Sequence, residues 1–325
     1  MLWVHVPSGA ALERRSLSAG EPIPAESVWI DLVSPTPEED ALAERVLGVS
    51  VPTRDEMQEI EVSSRLYVEN GIRYMTATLM CRSESSAPET TPVSFILADK
   101  RLVTVRYDEP RAFGLVGTKL ARTCPAGITG RGVLLELLDG IIDRTADILE
   151  RVSAEIDKSS HDIFEPHGRR TNRSLTYQMI LKTIGRKGDL TSKVRESLVS
   201  IGRLLLYLAA DADATGWPKE SRAQLKSMQR DVQSLSDYAS YLNSKITFLL
   251  DAIVGVVTIE QNNIIKIFSV VAVVLMPPTL VASIYGMNFQ HMPELAWTYG
   301  YPATLLVMLV AAVLPYLFFK WKKWL

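Results

Sequence analysis

The chain has 325 residues, a formal net charge of −2 and 22% charged side chains. That balance, with no aromatic-rich RNA motif, argues against a nucleic-acid partner. The two cysteines, Cys81 and Cys124, lie far apart without a Cys or His neighbour, which excludes a zinc-finger or disulfide framework and suits buried thiols in a reducing compartment.

At Met1-Leu2-Trp3 no basic stretch leads into an apolar run, so no cleaved signal peptide is expected and the bulk of the chain is expected in the cytosol. Short β-rich runs at 3–6, 28–32, 65–68, 74–79, 93–97 and 102–106 predict strands. Glu69-Asn70-Gly71 and Ala98-Asp99-Lys100 predict hairpin turns. Thr36-Pro37-Glu38-Glu39 and Thr53-Arg54-Asp55-Glu56 are capping boxes, the first with Pro at the first helical position. An α/β module over about 1–130 follows. No Gly-rich phosphate loop succeeds any strand, so nucleotide binding has no motif behind it.

From about Gly132 the apolar residues recur at helical spacing through Leu134, Leu138, Ile141, Ile142, Ile148 and Leu149. Pro166-His167-Gly168 predicts a break, and a second helix follows over 172–210. Trp217-Pro218 breaks the pattern again. From 219 to 284 only Gly255 interrupts before Pro277-Pro278, which predicts one helix on the order of 100 Å long. Residues 131–265 are therefore expected to form a cytosolic helical stalk.

Residues 267–284 and 301–319 contain no charged side chain, and each run is long enough to span a bilayer as a helix. A buried hairpin of a soluble core is the other arrangement such runs permit. The closing Lys320, Trp321, Lys322, Lys323 and Trp324 form the aromatic and basic anchor of a membrane interface instead. Lys266 precedes the first run, and the connection 285–300 holds Glu294 as its sole formal charge. The positive-inside rule then puts both termini in the cytosol, with a transmembrane region over 266–325.

A 3.5-residue repeat runs along the long helix through Asp251, Gly255, Thr258, Asn262, Ile265, Ser269, Ala272, Met276, Thr279, Ser283 and Gly286. This seam is mostly small or polar, whereas Ile253, Ile264, Ile267, Val270, Val274 and Leu280 lie on other faces. Small seam residues permit close helix packing. They equally suit a water-filled path, which one hairpin cannot enclose and which would demand a cyclic oligomer. The four histidines show no ligand spacing and no nucleophile constellation is present, so catalysis is not expected.

Tyr285-Gly286-Met287-Asn288-Phe289, placed just after the first of two C-terminal spans, resembles the signature of the CorA magnesium-transport family. Ile259-Glu260-Gln261-Asn262, Ile265-Lys266-Ile267-Phe268-Ser269, Pro277-Pro278-Thr279-Leu280, Met292-Pro293-Glu294-Leu295 and the Lys320–Leu325 ending extend the resemblance over about 245–325. The resemblance implies an α+β/α membrane protein: a homopentamer with a cytosolic α/β domain, a helical stalk forming a funnel, and two transmembrane helices in the cell inner membrane. Gly286, Met287 and Asn288 would form the outer pore mouth. Asn288 amides would hydrogen-bond the tightly held hydration shell of Mg2+.

The pore would be lined by Ser283, Thr279, Met276, Ala272, Ile265, Asn262, Thr258 and Asp251, with Phe268 or Ser269 between. Glu294 in the outer loop would draw cations in. Asp55 and Glu56, with Asp231 of a neighbouring copy, would bind regulatory Mg2+, although acids in a helix first turn also favour the helix dipole. Mg2+ would be both cargo and regulator, with no organic cofactor, and the partners would be further copies of the chain, divalent cations and membrane lipid. Two alternatives remain: a ZntB-type carrier of Zn2+, Ni2+ or Co2+, and a cytosolic sensing or docking domain anchored by the hairpin.

Overall fold

The computed structural model describes residues 1–18, 21–48, 50–85, 87–98, 100–164, 173–288, 292–293, 297–322 and 324. The chain divides into two compact units, Met1–Thr171 with Gln178–Leu249, and Asn172–Tyr177 with Leu250–Leu325.

The first unit is built on a seven-stranded sheet. Its strands are β1 (Leu2–Ser8), β2 (Ala11–Leu17), β3 (Trp29–Val33), β4 (Leu66–Glu69), β5 (Ile72–Cys81), β6 (Glu89–Ala98) and β7 (Arg101–Arg106), in the order β2-β1-β3-β7-β6-β5-β4. Only β3 and β7 run parallel. The six expected strands are present. Strand β2 was not anticipated. It is an edge strand whose Glu13, Arg14 and Arg15 are exposed, so it shows charge where a strand pattern would show apolar alternation. The β4–β5 turn holds Asn70 at φ 51° and Gly71 at φ 80°, the pair of positive φ values that a two-residue type I′ hairpin requires. In the β6–β7 hairpin Ala98 pairs with Arg101; Asp99 of that expected turn lies outside the described residues.

One sheet face packs Leu2, Val4, Ile30, Leu32, Val103 and Val105 with Ala43, Val51 and Met57. These last residues belong to, or lead into, α1 (Pro37–Leu47) and α2 (Arg54–Gln58). Both helices start at the anticipated capping boxes: Thr36 accepts from the Glu39 N–H and Thr53 from the Glu56 N–H, with each glutamate reaching back. A single turn, α3 (Val62–Arg65), precedes β4.

The other face is covered by α4 (Arg111–Arg122) and α5 (Gly130–Phe164). Helix α4 buries Ala112, Phe113, Val116 and Leu120, one stripe of an amphipathic helix. Two glycines fix how closely α5 approaches. A Cβ at Gly130 would lie 2.2 Å from the Arg101 carbonyl carbon, and one at Gly140 would lie 2.4 Å from Val116 Cγ2. Helix α6 (Arg173–Ala214) then meets α7 (Lys219–Tyr285), whose buried Leu225, Met228, Val232, Ala239, Leu242, Ile246 and Leu249 repeat at three, four and seven. The expected break at 166–168 lies outside the described residues.

In the second unit α7 passes through Pro277 and Pro278 to Tyr285, and α8 covers Gly300–Trp321. Both helices contain stretches long and apolar enough to cross a membrane. In the most apolar 18 residues of α8 none is buried, and Leu306, Leu309 and Leu314 are each more than 60% exposed. Apolar surface left in water costs about 25 cal/mol per Å². A helix with this much exposed leucine therefore suits lipid, not the core of a soluble hairpin. At its end the Lys266 ammonium lies 5.8 Å over the Trp324 ring, and Lys322 lies 5.5 Å over Trp321.

Candidate ion pathway

Beyond Leu250 the two sides of α7 differ in cover. Asp251, Gly255, Thr258, Asn262, Ile265, Ser269, Ala272, Met276, Thr279, Ser283 and Gly286 are all exposed on the single chain. Val270 is 4% exposed, and Val274, Pro277, Val281 and Tyr285 are half-buried. At 3.6 residues per turn this covered row falls opposite the stretch Ile265–Ser283 of the seam. The seam is thus an open face, with Phe268 and Ser269 flanking its midline on either side and Phe268 72% exposed.

The polar groups on that face are locally anchored. The Thr279 hydroxyl donates to the Leu275 carbonyl at 2.8 Å, and the Thr258 hydroxyl donates to Val254 at 2.8 Å. Each hydroxyl spends its hydrogen one turn back and keeps an oxygen free to accept from water or to meet a cation. Pro277 and Pro278 have no N–H, so the carbonyls of Val273 and Val274 lack their usual donors four residues on. The helix closes at Gly286, whose N–H donates to Ala282 O at 3.0 Å, and at Met287, which donates to Ile284 O at 3.3 Å. Asn288 follows and is exposed; Glu294 lies outside the described residues.

The acids expected to bind regulatory metal lie in two places on one chain, Asp55 and Glu56 on α2 and Asp231 on α7. Glu56 Oε2 accepts from the Thr53 N–H at 2.7 Å and from its hydroxyl at 2.9 Å, completing the helix cap. Asp55 is its exposed neighbour on α2. Asp231 on α7 is exposed and acts on Asp139 of α5, whose carboxyl is pushed up by burial and by the negative charges of Asp143, Glu136 and Asp231. Among the described residues no three His, Cys, Asp or Glu side chains are grouped to hold a metal. The expectation concerned neighbouring copies, and one chain does not assemble it.

Sequence reasoning missed a buried polar row on the sheet. Asp31 and Arg106 sit mid-sheet at 2% and 4% exposure, joined by Arg106 Nη2 to Asp31 Oδ2 at 2.9 Å. A charge placed mid-strand in Trp29-Ile30-Asp31-Leu32-Val33 and another closing Val103-Thr104-Val105-Arg106 were the available signal.

A family model described as CorA-like Mg2+ transporter protein matches residues 24–322. The chain is 38% identical over 301 residues to the magnesium transport protein CorA of Salmonella typhimurium, covering 92% of each chain. It is 37% identical over 315 residues to that of Escherichia coli K12, covering 97% of this chain and 96% of the relative. Among solved structures it resembles the complete CorA magnesium transporter of Methanocaldococcus jannaschii, with TM-score 0.76 and 18% identity over 100% of this chain and 99% of that one. The full-length CmaX protein gives TM-score 0.71 at 13% identity over 100% and 98%. At these identities the two structural likenesses establish the fold alone.

Proposed function

We infer the function from one settled premise: the chain belongs to the CorA-like Mg2+ transporter family. It is accordingly a transporter and not an enzyme. The activity we propose is passive influx of Mg2+, with Co2+ and Ni2+ as further cargo, through a cell inner-membrane homopentamer. Moving a divalent cation inward through ~100 mV releases about 4.6 kcal/mol, so no nucleotide is needed.

The observation that carries this reading is the exposed seam of α7, which is mostly small or polar, with Ile265 and Met276 as its large apolar members, on the side opposite the covered row. Five copies would turn those seams toward a common axis. Asn288 amides, with Gly286 and Met287, would ring the outer mouth. Thr279 and Asn262 would offer oxygens below, Met276 and Ile265 would narrow the path, and Asp251 would face the cytosolic end. Neutral oxygens suit an ion that keeps its water, because they bind the hydration shell without stripping it. We assign 1–130 to the cytosolic α/β domain, 131–265 to the stalk and 266–325 to the membrane, with both termini cytosolic. Cytosolic Mg2+ would close the pore by bridging Asp55 and Glu56 to Asp231 of the next copy, relieving the repulsion of facing carboxylates.

The test is uptake into proteoliposomes under an imposed potential, with the mass of the detergent-solubilised assembly measured in parallel. Potential-dependent Mg2+ entry that Asn288→Ala abolishes, from a particle of five chains, is the expected result. A monomer, or entry that is unchanged in Asn288→Ala, would overturn the pore as drawn here.

A further inference from the structure

Under α4 and α5 the sheet presents polar side chains in a place usually given to apolar ones. His5 on β1, Trp29 and Asp31 on β3, and Thr104 and Arg106 on β7 are adjacent and each under 5% exposed. Asp31 is fully engaged: it accepts the Thr104 hydroxyl at 2.7 Å and Arg106 at 3.1 and 2.9 Å. The Trp29 indole N–H donates to Thr104 Oγ1 at 2.9 Å. His5 stacks on Trp29 with centroids 4.0 Å apart, and its Nδ1 has no partner among the described residues. Burial drives its pKa down to about 4, so the ring is neutral.

This row floors a cavity of about 690 Å³, a size common for small-molecule sites. Its wall is basic. Arg14, Arg82, Arg111, Arg122 and Arg144 line it against Glu84 and Glu109. Helix α4 opens beside it at Arg111 with no side-chain cap, so the helix dipole adds the same sign.

Glu84, between β5 and β6, indicates what such a wall attracts. Its Oε1 accepts from Arg111 Nη1 at 2.5 Å, from Arg144 Nη2 at 2.7 Å and from Arg151 Nη1 at 3.1 Å. Three guanidiniums on one carboxylate oxygen leave two positive charges unbalanced there, apart from the exposed Asp147 at 3.7 Å from Arg144. The same arginines hold the Glu84 carboxyl below its usual range. One donor of the wall remains unspent: Arg144 Nε is shielded from solvent and is not matched by any acceptor among the described residues. A phosphoryl group carries more charge than a carboxylate and a third acceptor oxygen, and it matches the guanidinium fork.

We propose that this cavity is an oxyanion site for a phosphoryl group, which displaces Glu84 from Arg111 and Arg144, the two of its partners that line the cavity. The residues of this site all belong to the first unit, and the proposal does not rest on the ion path.

Calorimetric titration of the full-length protein in detergent tests the proposal, with inorganic phosphate as one ligand and adenosine monophosphate as the other. Saturable binding that weakens with salt is expected. Glu84→Gln, which removes the competing carboxylate charge, tightens it about tenfold, and Arg144→Gln weakens it at least about tenfold. Tighter phosphate binding identifies the free ion as the ligand, and tighter monophosphate binding identifies a nucleotide. No saturable heat with either ligand in the native protein and in Glu84→Gln overturns the site, as does an affinity that both substitutions leave unchanged. If Arg144→Gln fails to fold, Arg111→Gln replaces it, since that side chain is 61% exposed.

Discussion

Replacing Arg106 with methionine isolates the energetics of the mid-sheet ion pair. The native guanidinium lies 4.8 Å over the Phe113 ring, and the methionine stem and sulfur keep that apolar contact. Two of the three hydrogen bonds to Asp31 disappear, and only the Thr104 hydroxyl remains. The pair's side chains are 5% and 3% exposed, so water does not rescue the abandoned carboxylate. Removing one partner of a pair this deep costs about 3–5 kcal/mol. Urea unfolding of the full-length protein in detergent, followed by tryptophan fluorescence, reads the loss, because Trp29 is linked to Asp31 by two successive hydrogen bonds through Thr104. The double substitution Asp31→Leu with Arg106→Met recovers most of it, since an apolar pair of similar volume carries no stranded charge. A single-variant loss under about 1 kcal/mol, or a double variant as unstable as the two singles combined, refutes the reasoning.

The folded state holds His5 neutral down to about pH 4, while the unfolded chain takes up its proton near 6.5. Stability from this group is therefore complete above 6.5 and declines as pH falls toward 4, by about 3 kcal/mol at 1.36 kcal/mol per pH unit. His5→Phe keeps the stack on Trp29 and flattens that segment of a stability-against-pH curve; a native curve level from pH 6.5 to 4 excludes the assignment. Gly130→Ala drives a methyl group into the β7 backbone and lowers stability by about 1–3 kcal/mol or more in the same urea assay, whereas Gly127→Ala, with open space around it but φ at 68°, costs about 1–2 kcal/mol. Asp251→Asn lowers Mg2+ uptake several-fold at low ionic strength and less at high salt, as expected of a charge that concentrates cations at an entrance. Equal uptake at both salts removes Asp251 from the path.

What could be read in advance depended on how locally each element is encoded. The two capping boxes, at Thr36 and Thr53, place their own hydrogen bonds, so α1 and α2 began where the residues said. The seam of α7 was equally visible, because a 3.5-residue repeat survives without tertiary information. Strand β2 was hidden by Glu13-Arg14-Arg15, whose charges reflect an edge position only the finished sheet defines. Helix α4 was hidden by Gly114 and Gly117 and by basic residues at both ends, and its apolar stripe has meaning only against the sheet. The arginines on Glu84 come from α4 and from two turns of α5, and no spacing rule unites them. The proposed bridge from Asp55 and Glu56 to Asp231 would join two copies, and a lone chain does not contain it.

The two imino acids within α7 have a mechanical consequence. With two successive rungs missing from its hydrogen-bond ladder, the rod is softer in bending at this level than above or below. Any torque arriving along it is absorbed there first, immediately beside Met276 and Thr279. In the proposed pore, a modest change of curvature at that level would alter the bore at those two side chains while the turns on either side stay intact.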